Sequence, residues 1–365
     1  MVGKSAMGST LATGCNYNVA IGTEALGGSW TGSASTHNTA VGTFAMDAAM
    51  DGALRNVAMG YGSMGSLTTG DDNTAIGYLS LLSCATGANN TCIGSLSGDA
   101  ITGANDCVSL GYFSLSAAAT QTGTVAIGSA ALAALTSGAG NTAVGYKSLY
   151  TSEANGDACT AVGYEAMLTF NADADGHGEN TAVGYKAMRG TTTGVQSTAV
   201  GTWALGGAST TGDSNTAIGY NSGQGITSGQ DNVLVGAASG DALTTGSENV
   251  AIGLNALGQH DTGARNIAIG YLAMNDTGHH ADTRASTDNV FVGNTAGGGD
   301  WQSNDSNENV GIGNYVMDGA MNAANSNTAL GHSALSALTS GDQNVAVGSM
   351  AGDALTTGGN NVAIG

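Results

Sequence analysis

The chain has 365 residues, of which 61 are Gly, none is Pro and only 9% are charged, against about 25% in ordinary globular domains. A conventional globule needs charge for its surface and large side chains for its core, so this composition excludes one and leaves room only for a thin core. With 27 acidic and 7 basic residues the net charge is −20, which excludes partners held by phosphate neutralisation, nucleic acid and anionic membrane alike, and leaves cations and neutral glycans.

A single pattern, Asn-Thr/Val-Ala-Ile/Val-Gly, runs the length of the chain. It opens at Val2-Gly3 and Asn18 to Gly22, and then settles into a 17-residue period with closing glycines at Gly60, Gly77, Gly94, Gly111, Gly128 and Gly145. The region 164–180 lengthens one unit. The period returns at Gly219, Gly236, Gly253 and Gly270, is broken by longer units near 271–289 and 294–309, and resumes at Gly331, Gly348 and Gly365. Counting 21 such glycines leaves no stretch for a separate domain, so residues 1–365 read as one continuous solenoid domain with insertions.

Within a unit the β-branched residues favour a short strand, and a second glycine about ten positions later, as at Gly87 and Gly246, supplies a tight corner. The stretch between them, typified by residues 131–136, reads either as a second strand or as one short helical turn. Four-residue strands become stable only by stacking in parallel on the same strand of the next coil. The expected fold is therefore all-β, a parallel β-solenoid or β-roll of roughly 17-residue coils.

The residues three and one before the closing glycine form an apolar face, and Asn, Ala and Gly form a small one. A face kept small implies close approach by the far wall of the coil or by another chain. Because each coil holds little apolar bulk, the second is favoured, giving a homotrimer. The Asn positions, such as Asn56, Asn73 and Asn90, suit a stacked amide ladder. Tyr61, Tyr78, Tyr112 and Tyr146 follow the glycine and read as edge stacking, with a sugar-binding stripe as the alternative.

Units such as residues 73–78 with Thr86-Gly87, and residues 141–146, resemble the repeats of bacteriophage tail-fibre and appendage proteins, which often end in an endosialidase-type intramolecular chaperone. The Asn-Val-Ala-Ile-Gly units at Asn18, Asn249 and Asn361 are similar to the head repeats of trimeric autotransporter adhesins. That resemblance implies a trimeric extracellular fibre, on a virion or cell surface, with a cell-surface glycan or protein as receptor. Adhesin head repeats are closer to fourteen residues, so a wider cross-section is expected here, and neither a membrane anchor, a coiled-coil stalk nor a chaperone domain is recognised.

Chemistry is sought in the insertions, because loops of solenoids carry binding. His279, His280 and Arg284 in the first long unit, and Trp301 in the next, form a candidate partner-contact site. Asp173, Asp175 and Glu179 alternate in a Gly-rich segment like the start of a calcium loop, so calcium is the one cofactor considered, although the twelve-residue spacing is missing. Asp71, Asp72, Asp213, Asp231, Glu248 and Asp342 at corners serve either calcium or turn formation. Cys92 occupies an Ala position while Cys107 and Cys159 occupy Asn positions, so these thiols, with Cys15 and Cys84, read as small buried residues. No nucleophile elbow, zinc-protease, P-loop or dinucleotide motif occurs, and no catalytic role is expected. With no leader segment recognised and no apolar run of about 18 residues, membrane insertion is not expected either. The leading expectation is a structural or adhesive fibre segment, followed by an end-to-end filament or sheath subunit. An ice-binding solenoid comes last, because Thr alternating with Val and Ile is read as an inward face.

Overall fold

The computed structural model describes the chain apart from residues 1, 9–11, 31, 118–121, 137, 152–156, 172–177, 276–284 and 303, and the side chain of residue 208. It is an all-β parallel solenoid, divided into two compact units, Met1–Asn180 and Thr181–Gly365. Among the described residues there is no helix.

The first unit stacks β1 (Val19–Ile21), β2 (Thr39–Val41), β3 (Val57–Met59), β4 (Thr74–Ile76), β5 (Thr91–Ile93), β6 (Val108–Leu110), β7 (Val125–Ile127), β8 (Thr142–Val144) and β9 (Thr160–Val162). Each pairs in parallel with its successor at equivalent residues; in β3 and β4, Val57 faces Thr74, Ala58 faces Ala75 and Met59 faces Ile76.

The second unit begins with β10 (Thr181–Val183), β11 (Gly190–Thr191), β12 (Thr198–Val200) and β13 (Ala208–Thr210), with β11 and β13 forming a separate parallel pair. The main ladder runs from β10 through β12 to β14 (Thr216–Ile218), β15 (Val233–Val235), β16 (Val250–Ile252), β17 (Ile267–Ile269), β18 (Val290–Val292), β19 (Val310–Ile312), β20 (Thr328–Leu330), β21 (Val345–Val347) and β22 (Val362–Ile364).

The glycine after each strand turns the chain at φ near +140°, as in Gly219 at 143° and Gly236 at 136°. L-residues avoid that region, and a Cβ on Gly236 would overlap the Gly253 carbonyl beneath it. Beyond the corner, the wall expected to be a strand or a helical turn is a strand only at β11 and β13 among the described residues, and elsewhere it is neither. Left-handed residues alternate there, at Leu79 and Leu81 (φ 52° and 51°) and at Ala130 and Leu132 (56° and 50°). Alternation of this kind breaks both helical and extended hydrogen-bond patterns, so the wall is held by bonds to neighbouring coils, such as Leu81 N–H to the Ser97 carbonyl at 2.9 Å.

The two faces are the reverse of the sequence expectation. The small face is the inside: Ala40, Ala58, Ala75 and Ala126 at strand centres are fully buried, and the far wall of the coil approaches them. That wall supplies Leu81, Leu115 and Leu132 four residues past the glycine, and Leu67, Ile101 and Phe170 seven past it. Each such side chain contributes roughly 2 kcal/mol of burial. The branched residues on either side of the strand centre face out.

Because the interior is only two side chains deep, bulk on one wall is matched by its loss on the other. Where the strand centre is Cys92, the facing position is Gly98, and a Cβ there would come 2.7 Å from Cys92 Sγ. Leu234 lies against Gly223 and Gly240 in the same way, and Phe291 against Gly297 and Gly311.

One polar column crosses the interior. The Asn73 side-chain amide donates to Asn56 Oδ1 at 3.1 Å and to the Gly87 carbonyl at 2.8 Å, and the Asn73 backbone N–H donates to the same Asn56 Oδ1 at 2.9 Å. In the second unit Asn215, Asn232, Asn249, Asn266 and Asn289 repeat this link. Each Asn side chain thus satisfies both the strand start and the corner of the next coil.

Two outcomes test this packing. Gly98→Leu should destabilise by about 1–3 kcal/mol through overpacking, and Cys92→Ala in the same chain should recover most of it, as read by denaturant midpoints. Asn232→Ala should cost about 2–3 kcal/mol by orphaning the Gly246 carbonyl and Asn249 N–H, and Asn232→Ser should cost less, because Ser197 Oγ accepts the Asn215 N–H at 3.0 Å in the equivalent position.

Candidate interaction surface

The outward positions of every ladder strand are Val, Thr, Ile, Leu or Met, and none carries a charge. They are half exposed: Ile218 by 41%, Ile252 by 38% and Leu330 by 48%. In the first unit the inner-numbered column runs Val19, Thr39, Val57, Thr74, Thr91 and on to Thr160, and its companion is aliphatic throughout, from Ile21 to Val162. In the second unit Thr181, Thr198 and Thr216 are consecutive before the column turns to Val and Ile. At about 4.8 Å per strand and about 10 Å of strand length, each unit presents a flat apolar strip on the order of 400–500 Å². That approaches the largest apolar patch of a typical monomer and marks an interaction surface.

Aromatic residues rim this strip, one position past the corner glycine. Tyr61 stacks on Tyr78 with centroids 5.6 Å apart, and Tyr146 on Tyr164 at 5.1 Å. Lysines join the row, with Lys147 Nζ 5.4 Å from the Tyr146 centroid and 5.1 Å from that of Tyr150, and Lys186 Nζ 4.9 Å from those of Tyr185 and Trp203.

The corner acids are structural bonds between coils. Asp71 Oδ1 accepts the Leu54 N–H at 2.7 Å, Asp213 Oδ1 accepts that of Val195 at 2.9 Å, and Asp342 Oδ1 that of Asn325 at 2.7 Å. Asp72 pairs with Arg55 through two bonds of 2.6 and 2.7 Å, and Asp288 with Arg265 likewise. The Arg55 and Arg265 partners hold both carboxyls below their usual range. Exposed pairs of this kind add little stability.

Of the residues singled out in sequence, His279, His280, Arg284, Asp173 and Asp175 lie outside the described residues. Glu179 is exposed and sits with φ 54° immediately before Asn180, the corner position that Asp72, Asp231 and Asp288 fill in other coils. Trp301 is fully buried, edge-on to Phe291 at 6.0 Å, and fills the far-wall place that Trp30 fills in the first unit. Its ring offers no surface to a partner. Among the described residues no group of three His, Cys, Asp or Glu is placed to hold a metal, and no helix is long and apolar enough to cross a membrane.

All five cysteines are free, and four are buried. Burial raises the Cys84 and Cys159 thiols to about 11 and pushes Cys92 and Cys107 up as well, which keeps them protonated and poorly nucleophilic. His260 was not singled out in sequence. It occupies the interior place seven past the glycine that Leu243 and Leu338 fill elsewhere, and its Nε2–H donates to the Ser286 carbonyl at 2.9 Å. Burial lowers its pKa to about 4, so it is neutral inside the roll.

No protein-family model matches the chain, and no curated protein matches it.

Below about pH 6.5 an unfolded His260 takes a proton that the folded one refuses, so its contribution to stability is complete above that value and is lost as pH falls towards about 4. His260→Leu should flatten this part of the profile by on the order of 3 kcal/mol relative to the wild type, measured as denaturation midpoints between pH 7 and pH 4.

Proposed function

We propose that this chain is a structural or adhesive segment of an extracellular fibre, without catalytic activity, whose subunits associate in threes through the outward faces of their ladders. The observation that carries this reading is the uncharged, flat, half-exposed strip of Val, Ile and Thr. A chain of net charge −20 places its acids at corners and along the far wall and keeps every ladder position free of them. A surface left apolar in such a chain is best explained by a partner with the same composition, and another copy supplies one in matching register. The number three comes from the likeness of the Asn18, Asn249 and Asn361 units to trimeric adhesin heads. The receptor, a cell-surface glycan or protein, belongs to this reading without a residue assigned to it.

The same strip supports a second reading. Thr39, Thr74 and Thr91 in one unit and Thr181, Thr198 and Thr216 in the other face outward in register, which removes the reason for ranking ice binding last. The aliphatic companion column, which has no Thr, favours association over ordered water.

Sedimentation velocity separates the two. The wild type should sediment as a trimer, and Ile218→Asp with Ile252→Asp should yield monomers with an unchanged far-ultraviolet circular dichroism spectrum. A folded wild-type monomer that produces thermal hysteresis would replace the first reading by the second.

A further inference from the structure

The wall beyond the corner glycine opens into a gap at one coil of the first unit. Two residues past that glycine, neighbouring coils place Phe44, Leu79, Leu96 and Phe113, and the sole glycine in this column is Gly62. Three positions on, Gly65 stands between Asp47 of the coil before and Leu82 of the coil after. Two absent side chains in one coil open a notch with a volume of about 380 Å³. Phe44 and Asp47 form one side, Leu79 and Leu82 the other, and Tyr61 stands at its end. The sides are two coils apart, roughly 10 Å between backbones, which leaves a slot about one side chain thick.

The polarity of the slot is one-sided. Phe44 and Tyr61 meet edge to face with centroids 5.6 Å apart, which exposes aromatic surface to the notch. Asp47 supplies the carboxylate, and a Cβ on Gly65 would lie 3.3 Å from its Oδ1, so that oxygen borders the floor. Burial and the neighbouring Glu24 carboxylate raise the Asp47 pKa, the expected state of an anion awaiting a counter-charge. Aromatic faces beside a partly buried carboxylate select a cation over a neutral ring.

The chain itself shows what fills this place elsewhere. Lys147 stands two past its glycine, the position of Gly62, and its ammonium rests over Tyr146, the counterpart of Tyr61, and Tyr150, the counterpart of Gly65. Lys186, in the same column, lies over Tyr185 and Trp203. Where the column has Gly62 the aromatic partner remains and the ammonium is missing, and the coil before adds a carboxylate, Asp47, at the position that Ala133 and Leu168 hold beside Lys147 and Lys186.

We propose that the notch at Gly62 and Gly65 is a binding site for a lysine side chain presented by a partner protein, whose ammonium pairs with Asp47 and packs on Tyr61 and Phe44. The long-range field of a chain carrying −20 draws such a group in. The site stands independently of how many subunits associate.

Isothermal titration calorimetry of the full chain with the peptide Gly-Gly-Lys-Gly-Gly tests this, with the same peptide carrying norleucine in place of lysine, and glucose, as comparisons. Saturable binding of the lysine peptide alone is expected, about tenfold weaker in Asp47→Asn and abolished in Gly62→Lys, which supplies the ammonium from within. The backbone at Gly62 has φ 60°, close to Lys147 at 49° and Lys186 at 56°, so Gly62→Lys requires only that the tip of Leu79 move. If Asp47→Asn fails to fold, Gly62→Lys decides alone. Equal binding of the norleucine peptide, binding of glucose without lysine, no saturable binding, or undiminished binding by Gly62→Lys would each overturn the proposal and leave the reading of the ladder face untouched.

Discussion

Within each unit every coil meets the next through equivalent residues, and this in-register parallel contact constrains the rest of the unit. A three-residue strand such as Thr74–Ile76 has too few bonds to stand alone, and acquires a full set only if its neighbours arrive at the same height and offset. The chain must therefore return to its starting position once per coil. Glycine at φ near +140° makes the sharp corner, and left-handed residues at Leu79 and Leu81 bend the far wall back. The Asn column then fastens strand to corner from within, using groups that would otherwise lie buried without partners.

A cross-section set by backbone closure cannot expand to accept a larger side chain. The interior answers by exchange across the roll: Leu234 faces two glycines, Phe291 faces Gly297 and Gly311, and Ala positions face Leu or Met. In units with longer spacing, Trp30 and Trp301 take the far-wall place, where the added residues make room for an indole. The aromatic read in sequence as a partner contact is thus among the most enclosed in the fold. His260 in a Leu column follows the same geometry, and its neutrality follows from enclosure.

With the interior closed by small residues, the outer surface carries the functional content. The charge of the chain is pushed to the far wall and to corners, where Asp71, Asp213 and Asp342 bond the preceding coil, and the ladder strip is left apolar and flat. Beside the strip, the aromatic row takes an ammonium from the chain itself at Lys147 and Lys186, and at Gly62 it leaves a slot. Association and recognition are therefore assigned to different columns of one repeat, and a substitution in one column need not disturb the other.

The amino-acid sequence by itself determined the period, the parallel stacking, the glycine corners and the Asn ladder, because each of these repeats at fixed spacing and depends on local backbone chemistry. It also placed Cys92 in an Ala position and Cys107 and Cys159 in Asn positions, which their burial matches. Only the tertiary structure decided which strand face is inside. Alternation shows that Ala75 and Ile76 point opposite ways, but an inward face of Ala is viable only because Leu and Met from the far wall reach it, and that contact is between residues whose φ values no periodicity announces. For the same reason the burial of Trp301, the caging of His260 and the notch at Gly62 emerged only in three dimensions: each depends on what stands in the same column one coil above and below.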